Sequence, residues 1–240
     1  MKLDRLIAKH QSLGRRAAHE LIAAKRVKVG GVVIDDSQHP VDRFARVTLD
    51  GAIVQAGVPA VYLMLHKPAG YLSATRDDQH PTIIDLIDHP QRHELHIAGR
   101  LDRSTTGLLL LTNDGRWAKQ ITEAPQGVPK TYRVETLDPL DPTAIPLFAQ
   151  GIRFWPEDIT TLPAHLTIQE PTTARLTLWE GRHHQIKRMI GGIGNRVTAL
   201  HRESIGHLSL PSDLSPGSAR ELSLDEREAA TKSIPFSAFA

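Results

Sequence analysis

Four consecutive leucines, Leu108 to Leu111, stand inside the segment AGRLDRSTTGLLLLTNDG, residues 98–115. Such a run has no polar face to offer water, so the element carrying it must be enclosed on both sides. The chain has the means: it has 240 residues, 40% of them hydrophobic, enough for a real core in one or two domains. The run reads as a buried strand or as the start of a buried helix. Just upstream, Asp102 is set between Arg100 and Arg103. An acid between two bases at the mouth of an apolar run has two readings. One is structural, a salt bridge to Arg100 or a turn capped by Asp102 with Thr105. The other is a carboxylate that nearby cations keep ionised because it takes part in chemistry. These residues alone leave both open.

Charge is unevenly spread. Residues 1–34 hold eight Lys/Arg against Asp4 and Glu20, a surplus of six. The other 206 residues carry 21 basic and 25 acidic side chains, a net charge of −4. A basic end on a near-neutral chain is an electrostatic footprint for a polyanion, or else a solvated helix face. There is no cysteine, which excludes disulfides, thiolate metal sites and a Cys nucleophile. The start MKLDRLIAKH lacks the apolar stretch of a secretory signal, and the apolar window from Ala52 to Leu65 is too short and too broken for a membrane span. The expectation is a soluble cytoplasmic protein.

Periodicity predicts the elements. Leu3, Leu6 and Ile7, then Ala17, Leu21 and Ile22, recur at helical spacing on either side of Ser12-Leu-Gly14, giving two short helices. RVKVGGVVIDD is a hairpin signal with Gly30-Gly31 at the turn, and Val47 to Ile53 reads as one further strand. Gly57-Val-Pro59 reads as a linker. Beyond it, VYLMLHKPAGYL gives a strand ending at Lys67-Pro68, and Lys130–Thr136 and Arg175–Leu178 give two more. His184 to Ile190 reads as a short helix closed by Gly191-Gly192.

At this point four segments in series point to one family. RLIAKHQSLGRRAAHELIAAKRVKVGG resembles the S4 RNA-binding domain. GRLDRSTTGLLLLTNDG, KTYRV at 130–134, and EGRHHQIKRM at 180–189 with VTALHRESIG at 197–206 resemble the motifs of RsuA-type pseudouridine synthases, in their order and spacing. The resemblance covers nearly the whole chain. It implies an α+β protein: a small S4 domain over residues 1–57, a linker at 58–60, and a catalytic domain over 61–240. That catalytic domain would have a mixed, mostly antiparallel sheet in two subdomains flanking an active-site cleft. The activity implied is conversion of uridine to pseudouridine in small-subunit (16S) ribosomal RNA, free or in an assembling particle, by a monomer with no cofactor and no metal.

Residue roles follow from the same resemblance. Asp102 matches the catalytic aspartate, and Arg100 matches an arginine that holds the RNA backbone and takes the place of the flipped nucleotide. Tyr132 matches the tyrosine that stacks on the target base. Lys187 matches a Lys or Arg that pairs with the aspartate, here a point charge instead of a bidentate fork. Leu200 matches an apolar position packed against the tyrosine. Arg5, Arg15, Arg16, Lys25 and Arg26 in the basic end, with Arg182, Arg188, Arg196 and Arg202, read as phosphate contacts. One departure is His183, where related enzymes more often carry tyrosine; it is expected to face outward. The bland readings are a core tyrosine at 132 and a surface lysine at 187.

Other patterns carry less. His89, His93 and His96 have a spacing that one helix face could use for a metal, but Pro90 argues for a loop. GGIGNRV lacks the third glycine and the acidic partner of a dinucleotide loop. Two rival functions remain: a sister enzyme acting on large-subunit ribosomal RNA, and a non-catalytic RNA-binding assembly protein. The set Asp102, Tyr132 and Lys187 argues against the second, because a carboxylate facing a phosphate-rich partner costs affinity.

Overall fold

Ser12 takes the left-handed conformation (φ 53°) at the end of α1 (Leu3–Gln11), and Gly14 opens α2 (Arg15–Ala23). The polar break in the sequence is therefore the corner of a helix pair. Leu3, Leu6, Ile7, Ala18 and Ile22 close on a small sheet, with Val27, Val41, Val47 and Leu49 completing the core. The computed structural model describes residues 1–123, 127–155 and 157–239.

The sheet over these helices has four strands: β1 (Val27–Val29), β2 (Val32–Val33), β3 (Val47–Leu49) and β4 (Ala52–Gln55), in the order β2-β1-β3-β4. Gly30 and Gly31 make the expected hairpin turn. The segment expected as one strand from Val47 to Ile53 is instead a second hairpin. Asp50 and Gly51 both have positive φ (50° and 86°) and fold β4 back on β3. The apolar run Val47 to Ile53 hides a D-G turn of the kind that takes positive φ at both positions. Asp4 is also fully buried on α1, where it accepts hydrogen bonds from Arg15 (2.7 Å) and His19 (3.1 Å). Gly57, read as part of a linker, lies close against Phe44, whose carbonyl would be 2.5 Å from any added Cβ, and Val58 N–H donates to Arg43 O. That segment belongs to the first of two units, Met1–Ala60 and Val61–Ala240.

The second unit is built on a mixed sheet. Its elements are β5 (Tyr62–Lys67), β6 (His96–Ile97), β7 (Thr106–Thr112), α3 (Gly115–Thr122), β8 (Lys130–Thr136), α4 (Ala144–Gln150), β9 (Arg153–Phe154), β10 (Ile159–Thr160), β11 (His165–Glu170), β12 (Thr173–Leu178), α5 (Gln185–Gly192), β13 (Val197–Ile205), β14 (Leu208–Ser209), β15 (Ala219–Glu221) and α6 (Leu224–Thr231). The path is β11-β12-β8-β13-β7-β5-β15, with β14 beside β13 and β6 beside β7. All pairs are antiparallel except β13 with β7. The leucine run is thus a central strand, with all four leucines fully buried. Leu108 and Leu110 pack with Trp117, Ile121 and Ile205 on one face; Leu109 and Leu111 pack with Leu63, Leu65, Ile83 and Leu95 on the other. A third core joins Phe148, Leu166, Leu176, Met189 and Ile190 beneath β8, β11 and β12.

Gly107 stands where β7 meets β13. A Cβ there would lie 2.3 Å from Arg202 O and 2.5 Å from Arg202 N, and its φ is 109°. Only glycine lets these two strands approach this closely. Among the described residues no helix is long and apolar enough to cross a membrane.

Candidate active site

The turn from Asp102 to Thr105 enters β7, closed by a hydrogen bond from Thr105 N–H to Asp102 O (3.1 Å). It borders a cleft of about 770 Å³ in the second unit, whose walls come from this turn, from β8 and β13, and from the start of α5. Asp102 is about one-quarter exposed, with its carboxylate toward α5. Lys187 Nζ lies 2.9 Å from one oxygen and His184 Nε2 lies 3.5 Å from the other. The lysine also donates to Ser104 Oγ at 3.3 Å. An ammonium on one oxygen fixes the rotamer of the carboxylate.

Lys187 is the partner that the family resemblance implies, whereas the chain-neighbour arginines, the other cations expected at Asp102, do not pair with it. Arg103 turns away and donates to Gly70 O (3.0 Å). Arg100 is exposed on the cleft rim, and none of its side-chain bonds reaches Asp102. Residues flanking a site in an extended turn point to different sides, so adjacency in sequence does not give contact.

His184 was not expected in the site. It precedes the first turn of α5 in a left-handed conformation (φ 51°, ψ 30°), which brings its ring back toward Asp102. A non-glycine residue in that region costs on the order of 1–2 kcal/mol. His183, expected to face outward, is exposed but lies in the cleft mouth, stacked on His184 at 3.8 Å.

Tyr132 and Leu200 form the apolar side. On β8, Lys130, Tyr132 and Val134 alternate inward, and the register sets Tyr132 opposite Arg202 and Val134 opposite Leu200. Tyr132 and Leu200 are therefore diagonal neighbours on one face, both lining the cleft. Arg202 was read as a phosphate contact and is not one. It is 1% exposed; its guanidinium donates to Leu108 O (2.8 Å) and Gly99 O (3.0 Å) and reaches Tyr132 Oη at 3.4 Å. It ties the turn before Asp102 to the tyrosine strand. Arg188 is likewise redirected: it pairs with Glu157 (2.5 Å) and lies over the Phe154 ring at 3.8 Å. Arg182 does line the cleft, held by Glu180 at 2.9 Å.

In the first unit Arg5, Arg16 and Lys25 are exposed. Arg15 and Arg26 are exposed as well and pair with Asp4 and Asp50. Of the three histidines with metal-like spacing, His93 lies in a short helical turn and His96 in β6, so no single helix face carries them.

Two buried lysines were missed. Lys67, fully buried, places its ammonium within hydrogen-bond distance of the carbonyls of Pro68, Asp102, Arg103 and Thr105, from 2.8 to 3.3 Å. Burial pushes its pKa down to about 8; the Asp102 charge opposes this and the Arg202 charge adds to it. It holds the backbone of the Asp102 turn from below. The signal was in the alternation, since Leu63, Leu65 and Lys67 share the inward face of β5. Lys130, on the cleft floor, donates to Ile121 O (3.1 Å), and burial, then the Arg202 charge, lowers it to about 8. Thr105 Oγ is buried with no hydrogen-bond partner among the described residues, so Asp102 is not capped by it.

The arrangement can present a carboxylate beside an aromatic ring and an aliphatic wall, a fit for a flat heterocycle attached to a sugar. The comparisons agree with that chemistry. Residues 61–191 match the model of the RNA pseudouridylate synthase family. Over 226 residues, 94% of this chain, it is 50% identical to ribosomal small subunit pseudouridine synthase A of Pseudomonas aeruginosa, covering 98% of that protein. The protein of the same name from Escherichia coli strain K12 is 40% identical over the same length and 98% of its own. A solved pseudouridylate synthase superposes with a TM-score of 0.70 at 36% identity, covering 96% of this chain and 99% of that one. With its carboxylate cleft and this agreement along nearly its whole length, the chain belongs to the RNA pseudouridine synthase family.

Proposed function

We propose that this enzyme isomerises one uridine of small-subunit ribosomal RNA to pseudouridine, with Asp102 as the group that acts at the reacting nucleotide. The reaction breaks the N1–C1′ bond, turns the uracil and forms a C5–C1′ bond; the proton lost from C5 is matched by one gained at N1. Nothing is oxidised, so a carboxylate, a surface to hold the detached ring and exclusion of water suffice. The observation that carries the reading is the 2.9 Å contact from Lys187 to Asp102 inside a cleft walled by Tyr132 and Leu200. In this reading the tyrosine stacks on the base and Arg100, exposed at the rim, meets the RNA backbone. The relatives' printed name supports the small-subunit target. The helix pair and small sheet of residues 1–60, with exposed Arg5, Arg16 and Lys25, serve as an S4-like dock for RNA phosphates.

The test is pseudouridine mapping by carbodiimide-induced reverse-transcription stops. Wild type and Asp102→Asn are incubated with unmodified small- and large-subunit RNA, free and in assembling particles. A stop in the small-subunit RNA given by wild type only is the expected result. A stop only in the large-subunit RNA keeps the chemistry and discards the target. RNA binding with no stop on any substrate removes the catalytic role from Asp102.

A further inference from the structure

Trp155 is 73% exposed, whereas the other two tryptophans, Trp117 and Trp179, are each 7% exposed. It follows β9 in the hairpin that pairs Arg153 with Thr160 and Phe154 with Ile159. The Arg153 guanidinium lies over its ring at 4.3 Å. The hairpin is fastened to α5 by Arg188, which covers Phe154 at 3.8 Å and pairs with Glu157. Arg188 is the residue next to Lys187, whose ammonium binds Asp102. An exposed indole is thus carried on a segment anchored to the same helix turn that positions the site carboxylate.

Leaving an indole in water forgoes its large burial energy, and here the exposed ring is also held by the Arg153 guanidinium over it. Its chain neighbours choose the partner. Arg153 and Asp158 pair with each other, as do Arg188 and Glu157, which leaves the hairpin locally neutral. A neutral plate suits the face of a heterocycle and not a phosphate. A protein-docking face needs contiguous apolar surface, and Trp155 is flanked in the hairpin by the ion-paired Arg153, Glu157 and Asp158. A flat ring backed by a guanidinium is how proteins hold unpaired bases.

We propose that Trp155 is a stacking platform for an unpaired nucleobase flanking the target uridine, a second base-binding site outside the cleft. This rests on the uridine-isomerase reading above. In it, the cleft takes the target nucleotide and the hairpin takes a neighbour on the same strand, which fixes the register of the RNA.

The experiment uses the full-length Asp102→Asn protein, which holds RNA without turnover. Acrylamide quenching of tryptophan fluorescence is measured with and without a small-subunit RNA fragment, with filter binding run in parallel. Because Trp155 is the exposed tryptophan, the quenching slope is expected to fall at least twofold when RNA is bound. Trp155→Ala, introduced in the same background, should weaken binding about fivefold or more, and Trp155→Phe should restore most of it. Thermal melting of both variants should match the parent, as an exposed side chain requires. RNA bound with unchanged quenching, or bound equally well by Trp155→Ala, overturns the platform and leaves the isomerase reading intact. Protection that appears only with an assembling particle and not with saturating naked RNA assigns Trp155 to a protein and overturns it as well. No RNA binding by the parent, under conditions where the particle is not bound either, removes both readings.

Discussion

Asp102 and Lys187 meet across the cleft at 2.9 Å, although one stands in the turn before β7 and the other on α5. The pair orients the carboxylate more than it stabilises the fold, since the lysine is 34% and the aspartate 28% exposed and both are screened. Lys187→Met is therefore expected to lower kcat about 100-fold with little change in melting temperature. Lys187→Arg should recover part of the loss. Single-turnover rates at saturating RNA check this, and a loss of melting temperature paralleling the loss of rate would count against an orienting role.

Lys67 makes a different prediction, because it acts on the backbone of the turn. Lys67→Met removes the donor to the carbonyls of Asp102, Arg103 and Thr105, at a cost of about 1–3 kcal/mol for a buried group left unpaired. Activity should fall with it. The wild type carries its own test in pH. The folded pKa, about 8, lies below the ordinary lysine value, so the unfolded chain binds the proton more tightly in the interval above it. Stability from this group rises with pH through that interval, and Lys130 adds the same sign. Activity should decline above about pH 8 as the turn loses its ammonium. Parallel rate and denaturation profiles would separate the two trends.

Gly107→Ala is expected to destabilise the second unit by about 3 kcal/mol or more. The new methyl group would meet Arg202 O at 2.3 Å, and the partner is backbone, which cannot swing aside. Urea denaturation is the check. A midpoint equal to wild type would mean that β7 and β13 can separate without cost.

Asp4 sets the acid limit of the first unit. Arg15 first, then His19, holds its carboxyl well below the usual range. Its folded pKa is lower than its unfolded one, so the stability it contributes is present above about pH 4 and is lost as pH falls through the folded value. Asp4→Asn should lower stability by about 1–2 kcal/mol at neutral pH and flatten the acid side of the profile. Site-resolved amide hydrogen exchange at α1 and α2 in the full chain, followed against pH, measures both.

Most of the elements, and the segments that line the cleft, were legible in the amino-acid sequence. Leu108 to Leu111 had to be enclosed, Leu3-Leu6-Ile7 had to face one side of a helix, and Asp102, Tyr132 and Lys187 stood in recognisable segments. These are readable because hydrophobic periodicity and turn chemistry act between residues a few positions apart. It misled at Val47–Ile53, where the Asp50-Gly51 turn splits the apolar run into two strands. The remaining charge pairings came from the fold. Asp102 takes Lys187, as the family resemblance implies, but also faces His184, and neither Arg100 nor Arg103 pairs with it. Arg202 is buried under carbonyls instead of facing phosphate, and Lys67 supports the turn from the core. Such pairings follow from strand order, above all the parallel contact of β13 with β7, which brings Arg202 onto Gly107. A side chain's partner is set by long-range register and burial, and neither is written in the residues beside it.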